Sequence, residues 1–137
     1  MAPAIIRAMK HMTPRQAFDA MQRNPDALLV DVRTEIEFFY VGHPTGALNV
    51  EWHMSPDFEV NPDFTGQVLR EAGRKQRPIL LICRSGKRTL DAGAALEADG
   101  FTDVTNIVEG FEGDLDENFR RGTLGGWRKA GLPWEQL

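Results

Sequence analysis

Short apolar runs alternate with longer stretches of mixed polarity along the chain. The runs at 27–32, 47–50, 79–83 and 104–108 are bounded by turn residues, which is typical of buried strands. Helices are predicted from Pro14 to about Asn24, at 34–40, 64–72 and 86–99, with a short one at 127–130. Thr13, Thr34 and Asp63 are the predicted helix caps. Residues 1–12 form a loose or short-strand lead-in, and 51–61 has the composition of a loop.

Strand and helix therefore follow each other in βαβ order. This order predicts an α/β fold with a mainly parallel central sheet and helices on both faces. The run ILLI at 79–82 is apolar throughout, as expected for a strand covered on both faces. A length of 137 residues is that of one domain, which we assign to residues 1–137. Ligands of such sheets bind beyond the carboxyl ends of the strands, and Cys83 lies at one of these ends.

Charge and composition exclude several classes of protein. The net charge is −4 and the pI is near 5.4, which argues against a general nucleic-acid binder. The sequence contains no apolar run of membrane-spanning length and no apolar signal core near its start. We therefore expect a soluble protein of the cytoplasm that does not bind membranes. An export signal trimmed from the sequence would leave no trace in it.

The stretch LLICRSGKRTL places three cations within five residues of the only cysteine, Cys83. A helix N-terminus favours anions, so Arg84, Lys87 and Arg88 are locally unfavourable there unless an anion binds. Loop amides, the helix dipole and these charges all favour a thiolate. Ser85 adds a hydroxyl donor, and Gly86 permits a tight turn.

The competing interpretation treats the cysteine as a buried strand residue followed by a solvated helix start. Free cysteines are often buried, which supports that interpretation in general. The unfavourable cations at this helix start favour an active site instead. An active-site sulfur must meet its substrates, so we expect Cys83 to contact solvent.

CRSGKR resembles the active-site loop of the rhodanese-type sulfurtransferases. DVRTEIEFFYVGHPTGALNV is similar to an earlier segment of that family, and VEGFEGD with GGWRKAGLPW resembles its closing region. The resemblance covers the chain from about residue 12 to the end. Two features depart from the family pattern. His43 is followed by Pro-Thr instead of an aliphatic residue and proline, and 114–123 is an extra stretch.

The resemblance implies a sulfurtransferase that works through a persulfide on Cys83 without a cofactor. The donor would be thiosulfate or a similar small anion, and the acceptor cyanide or a thiol, including a protein thiol. Arg84 and Lys87 would bind the donor, while Ser85, Gly86 and Arg88 would shape the loop. In the family the last arginine often faces the protein body, so Arg88 is expected to pair with Asp31 or Glu37.

Three further residues are candidates for the edge of the site. Asp31 and Arg33 follow another strand, where an ion pair that fixes the strand-to-loop turn is the preferred interpretation. Trp52 is a weaker candidate for a neighbour of the site.

Other functions compete with this one. Cysteine-based phosphatases and arsenate reductases have five residues between cysteine and arginine, whereas four lie between Cys83 and Arg88. A non-enzymatic persulfide carrier or interaction module stays open, as does the oligomeric state. No metal is expected, because Cys83 and the three histidines lack ligand spacing. Asp114, Asp116 and Asn118 match the start of a calcium loop, but Phe119 and Gly125 stand where that loop needs glycine and glutamate.

Overall fold

The computed structural model describes residues 9–137, so the part of the predicted lead-in at 1–8 lies outside the described residues. The elements are, in chain order, β1 (Lys10–Met12), α1 (Pro14–Arg23), β2 (Leu28–Asp31), a π-helical turn (Glu37–Val41), β3 (His43–Pro44), β4 (Leu48–Asn49), β5 (His53–Met54), β6 (Glu59–Val60), α2 (Phe64–Ala72), β7 (Ile79–Ile82), α3 (Arg88–Ala98), β8 (Val104–Ile107) and β9 (Trp134–Glu135).

The central sheet has five strands in the order β1-β8-β7-β2-β4. All four neighbouring pairs in this sheet are parallel. The predicted α/β fold with a mainly parallel sheet is therefore confirmed. Two small antiparallel pairs, β3 with β9 and β5 with β6, lie outside it. The second pair falls in the predicted loop at 51–61, where two-residue strands are too short to give a sequence signal.

Core layers cover both faces of the sheet, as predicted. One layer joins α2 and α3 to β2 and β7, with Phe64, Val68 and Leu96 fully buried. The other joins α1 to the C-terminal segment, around Phe111 and Trp127. Consecutive residues of β7 alternate between the two layers, so the whole of ILLI is buried. No helix between residues 9 and 137 is long and apolar enough to span a bilayer.

Local details confirm the predicted helix cap at Thr13 and correct the one at Asp63. Thr13 forms the expected capping box, in which its hydroxyl accepts the Gln16 N–H at 3.2 Å and the Gln16 side chain accepts the Thr13 N–H at 2.9 Å. The predicted cap at Asp63 is wrong, because its side chain makes no capping bond. Its own N–H instead donates to Oδ1 of Asn61 at 2.9 Å.

One predicted helix begins later than expected, and another does not form. The helix predicted from Gly86 begins two residues later, at Arg88, because the intervening residues form the loop. The helix predicted at 127–130 is wrong. That segment forms hydrogen-bonded turns between Gly126 and Gly131, whose φ angles of +108° and +75° do not belong to a right-handed helix.

Candidate active site

Cys83 lies directly after β7, at the carboxyl edge of the sheet, and the loop 84–87 leads from it into α3. The chain that follows β8 packs against this loop through backbone hydrogen bonds. Phe111 N–H donates to the Cys83 carbonyl at 2.8 Å, and Glu112 N–H donates to the Arg84 carbonyl at 3.0 Å. Gly110 makes this approach possible, since a Cβ there would lie 2.4 Å from the Cys83 carbonyl oxygen. Its φ of +64° also favours glycine.

The sulfur of Cys83 has two polar neighbours. Gly86 N–H donates to Sγ at 3.2 Å, and Oγ1 of Thr89 lies 3.5 Å from it. The Thr89 hydroxyl donates its one proton to Oδ1 of Asn106 at 2.5 Å. Because this proton is engaged, the Thr89 oxygen can only accept from Cys83, and the Cys83 S–H donates to it. Among residues 9–137, the Gly86 N–H is then the only donor to the sulfur.

Several amides of the loop are left without a protein acceptor by the described part of the chain. Among residues 9–137, the N–H groups of Ser85, Lys87 and Arg88 donate to no protein acceptor. Helix α3 also begins without a side-chain cap. Together with the helix dipole, these groups make the loop a region of positive potential suited to an anion. Within the described residues, however, Gly86 is the only one that points its amide at the sulfur itself.

Cys83 is buried, with 1 % of its surface exposed. The expected contact between this residue and solvent is therefore absent in this conformation. The physical reason is that Cys83 belongs to the core layer containing Val30 and Leu81, while residues of the loop and of α3 cover its side chain.

Arg88 faces the protein body and pairs with Glu37, one of its two candidate partners. Both hydrogen bonds of this pair measure 2.8 Å. Burial by itself raises the pKa of Glu37, but the hydrogen bond and charge of Arg88, helped by Thr34, lower it from 4.5 to about 2. Burial also opposes the charge on Arg88, yet Glu37 holds the pKa of Arg88 above its usual value. The pair is therefore ionised across the physiological range.

Asp31, the other candidate partner of Arg88, is already paired with Arg33. Both side chains are fully buried, and Nη2 of Arg33 lies 2.7 Å from Oδ2 of Asp31. The same nitrogen donates to the Gly42 carbonyl at 2.5 Å, and the guanidinium stacks 4.6 Å from the centroid of Phe111. This is the ion pair expected at the strand-to-loop turn. Neither residue lines the cavity beside the cysteine loop.

The remaining candidates occupy different places. Arg84 and Lys87 are exposed, and neither forms an ion pair in the described part of the chain. Ser85 and Gly86 are half-buried in the loop. Trp52 packs edge-on against Phe64 at 5.2 Å, in the core layer that contains Cys83, and does not line the cavity.

A cavity of about 760 Å³ opens beside the loop. Its walls come from the cysteine loop, the π-helical turn, the segment before β6 and the chain after β8. The lining includes Ile36, Glu37, Phe58, Arg84, Glu112 and Arg121.

Sequence reasoning missed Thr89, Asn106 and Arg121 as residues of this region. A signal existed for Asn106, because a polar residue inside the buried strand VTNI needs a partner. Thr89 directly follows CRSGKR, so the first turn of the helix could have placed it near the sulfur. Nothing in the sequence indicated where Arg121 would lie.

Comparison with known proteins assigns the family. The family model for the Rhodanese-like domain matches residues 14–117. The thiosulfate sulfurtransferase GlpE of Pseudomonas putida is 32 % identical over 103 residues, which cover 75 % of this chain and 82 % of GlpE.

Solved structures share the fold of this chain. The crystal structure of Rv0390 from M. tuberculosis is 40 % identical, with a TM-score of 0.84, and the match covers 96 % of this chain and all of that one. The polysulfide-sulfur transferase of Wolinella succinogenes, 23 % identical, shares the fold with a TM-score of 0.60 over 94 % of this chain and 80 % of its own. The chain described here belongs to the rhodanese-like domain family.

Proposed function

We propose that this protein is a sulfurtransferase that moves a sulfane sulfur from thiosulfate, or a similar anionic donor, to cyanide or a thiol through a persulfide on Cys83. The observation that carries the proposal is the loop after β7. It places a lone cysteine at the carboxyl edge of the sheet, beside three amides and two cations that have no partner among residues 9–137. Family membership and the similarity to a thiosulfate sulfurtransferase support it.

In the first half-reaction the Cys83 thiolate attacks the outer sulfur of the donor. The S–S bond of thiosulfate breaks, sulfite leaves with the bonding electrons, and the outer sulfur stays on Cys83. Arg84 and Lys87 would attract the dianion and stabilise the charge that develops on sulfite. The amides of Ser85, Lys87 and Arg88 would bind the persulfide sulfur, which is itself anionic. Arg88 is neutralised by Glu37, so its side chain supports the loop.

In the second half-reaction the acceptor attacks the outer sulfur of the persulfide. The new S–S or S–C bond forms as the Cys83–sulfur bond breaks, and Cys83 leaves as a thiolate. The chain has no second cysteine, so no internal disulfide competes with this step. Because Cys83 is buried, both half-reactions require a shift of the loop 84–87.

We further propose a single domain over residues 1–137 and a cytoplasmic location.

Steady-state assay of sulfite release from thiosulfate, with cyanide as acceptor, tests this function. We expect turnover by the wild type and none by Cys83→Ser, because a hydroxyl is too weak a nucleophile toward sulfur. Cys83→Ala is the matched control for the fold, and both variants should unfold cooperatively. Transfer by either variant at a rate near that of the wild type would overturn the assignment of Cys83.

A second candidate function, that of a persulfide carrier, rests on the burial of Cys83. A buried persulfide is shielded from solvent, which suits a protein that stores sulfur and releases it only to a partner. Thiosulfate in excess distinguishes the two functions. An enzyme releases many equivalents of sulfite per protein when acceptor is supplied, whereas a carrier stops after one.

A further inference from the structure

We propose that Arg121, from the extra stretch after β8, joins Arg84 in binding a carboxylate of the sulfur acceptor, so that the preferred acceptor is a carboxylate-bearing thiol of peptide size. This inference rests on the proposed sulfurtransferase function and specifies its second substrate. Arg121 is a specificity-determining residue in this proposal, remote from the S–S bond that breaks.

The cavity is larger than the small substrates of the reaction need. A volume of about 760 Å³ lies well inside the range of sites for drug-sized ligands. Thiosulfate or cyanide would fill only a small part of it. The cavity therefore has room for a larger molecule, and with thiosulfate as the donor only the acceptor can be that molecule.

The charges around the cavity favour an anionic ligand. Glu37 is neutralised by Arg88, and Glu112 lies 3.9 Å from Nη2 of Arg128. Arg84 and Arg121 have no carboxylate within 4 Å among residues 9–137. The lining thus holds two cations without acidic partners. Two such guanidinium groups favour a ligand with carboxylates over a neutral one.

Arg121 is held in place by the same backbone that supports the cysteine loop. Its Nη1 donates to the Gly113 carbonyl at 2.8 Å, and the Gly113 N–H donates to the Arg84 carbonyl at 3.1 Å. Gly122 N–H also donates to the Glu112 carbonyl at 2.8 Å. The guanidinium is therefore fixed relative to the loop that would carry the persulfide, which reduces the entropy lost when a ligand binds.

The opposite part of the lining is apolar and open to solvent. Ile36 is 63 % exposed and Phe58 is 61 % exposed, although both are large hydrophobic side chains. They provide a surface for the apolar stem of an acceptor whose carboxylate reaches the arginines. The chemistry is the second half-reaction above: the acceptor thiolate takes the outer sulfur, the Cys83–sulfur bond breaks, and the acceptor becomes a persulfide without any oxidant.

The test compares acceptors and variants after loading with thiosulfate. Glutathione is compared with its diethyl ester, in which both carboxylates are neutral, and with cyanide. For the wild type we expect kcat/KM to be higher for glutathione than for the ester. Arg121→Gln, which keeps an N–H donor for Gly113, should raise the KM for glutathione roughly three- to tenfold. It should change the values for the ester, cyanide and thiosulfate by less than about twofold.

Arg120→Gln is the matched control, because Arg120 is the exposed neighbour on the same stretch and does not line the cavity. It should leave all acceptors unchanged, and Arg121→Lys should restore part of the glutathione preference. Equal use of glutathione and its ester by the wild type overturns the inference without requiring any variant to fold. An equal loss for thiosulfate and glutathione in Arg121→Gln overturns it as well. If the wild type transfers sulfur to no acceptor, the proposed function itself fails.

Discussion

Arg88 and Glu37 form a two-point ion pair that ties the start of α3 to the π-helical turn. Nη1 to Oε1 and Nη2 to Oε2 both measure 2.8 Å, and both side chains are largely buried. Both terminal nitrogens of the Arg88 guanidinium bind the carboxylate, so this guanidinium is unavailable to substrate. The positive charge available to a donor at the loop therefore comes from Arg84, Lys87 and the backbone amides.

Loss of this ion pair should destabilise the protein in a pH-dependent way. We expect Glu37→Gln to lower the free energy of unfolding at pH 7 by about 3 kcal/mol, the equivalent of lowering a pKa from 4.5 to about 2. Because the pKa is lower in the folded state, this contribution is complete above pH 4.5 and disappears as the pH falls towards 2. Urea unfolding at pH 7 and at pH 3 measures it.

Glu35→Gln is the control for that experiment, since Glu35 is an exposed carboxylate two residues away. It should change stability by less than about 0.5 kcal/mol at either pH. A difference between wild type and Glu37→Gln that is the same at pH 3 as at pH 7 would contradict the ionised pair.

The hydroxyl of Thr89 should contribute more to the stability of the fold than the shape of its side chain does. Thr89→Val keeps the volume but removes the donor to Asn106, and this leaves a buried amide oxygen without its partner. We expect a loss of about 1–3 kcal/mol. Thr89→Ser keeps the hydroxyl and should lose less. Chemical denaturation of both variants gives the comparison, and equal losses would show that packing of the methyl group dominates.

Gly110 should resist substitution because of its contact with the Cys83 backbone. Gly110→Ala meets both a φ of +64° and a clash with the Cys83 carbonyl, and we expect a loss above about 2 kcal/mol with displacement of the cysteine loop. Gly122→Ala has a similar φ of +83° and open space, so it measures the backbone strain alone, about 1 kcal/mol. Melting curves and thiosulfate turnover of the two variants check this, and equal effects would remove the clash from the explanation.

Lys87 should act on the donor more than on the fold. Its side chain is exposed and it directly precedes α3, so Lys87→Gln should raise the KM for thiosulfate several-fold while changing stability by less than about 0.5 kcal/mol. Lys10→Gln is the control, since Lys10 begins β1 and therefore lies at the amino ends of the parallel strands, away from the cysteine loop. An unchanged KM for thiosulfate in Lys87→Gln would assign donor binding to Arg84 and the amides alone.

The persulfide should be directly visible. After incubation with thiosulfate and removal of excess donor, mass spectrometry should show the gain of one sulfur atom on the peptide containing Cys83. Cyanide should then remove this sulfur. Iodoacetamide should modify the resting thiol slowly, because Cys83 is buried. Fast alkylation, at the rate of a free thiol, would contradict the closed loop.

Much of this architecture could be predicted from local signals. Three features belong to short segments: the apolar run before Cys83, the cap at Thr13 and the βαβ order. Local sequence determines them through the spacing of apolar residues and the hydrogen bonds that neighbouring residues form. Helix α2 does begin directly after Asp63, but the Asp63 side chain forms no capping bond. The segment at 127–130 forms turns in which the N–H groups of Trp127 and Arg128 donate to the carbonyls of Gly110 and Phe111, contacts with a distant segment that local sequence does not indicate.

The sequence by itself determined that a lone cysteine ends a buried strand and begins a cation-rich loop. Tertiary structure decided which groups meet there. The order of the strands places Asn106 of β8 beside Thr89, and the pairing of Asp31 with Arg33 leaves Glu37 for Arg88. Folding also buries Cys83 and brings Arg121 to the cavity. The pair of Asp31 and Arg33 is local and was expected from the sequence, whereas the contacts of Arg88 with Glu37 and of Thr89 with Asn106 join residues 51 and 17 positions apart. Such contacts depend on packing across the sheet, which no local pattern encodes.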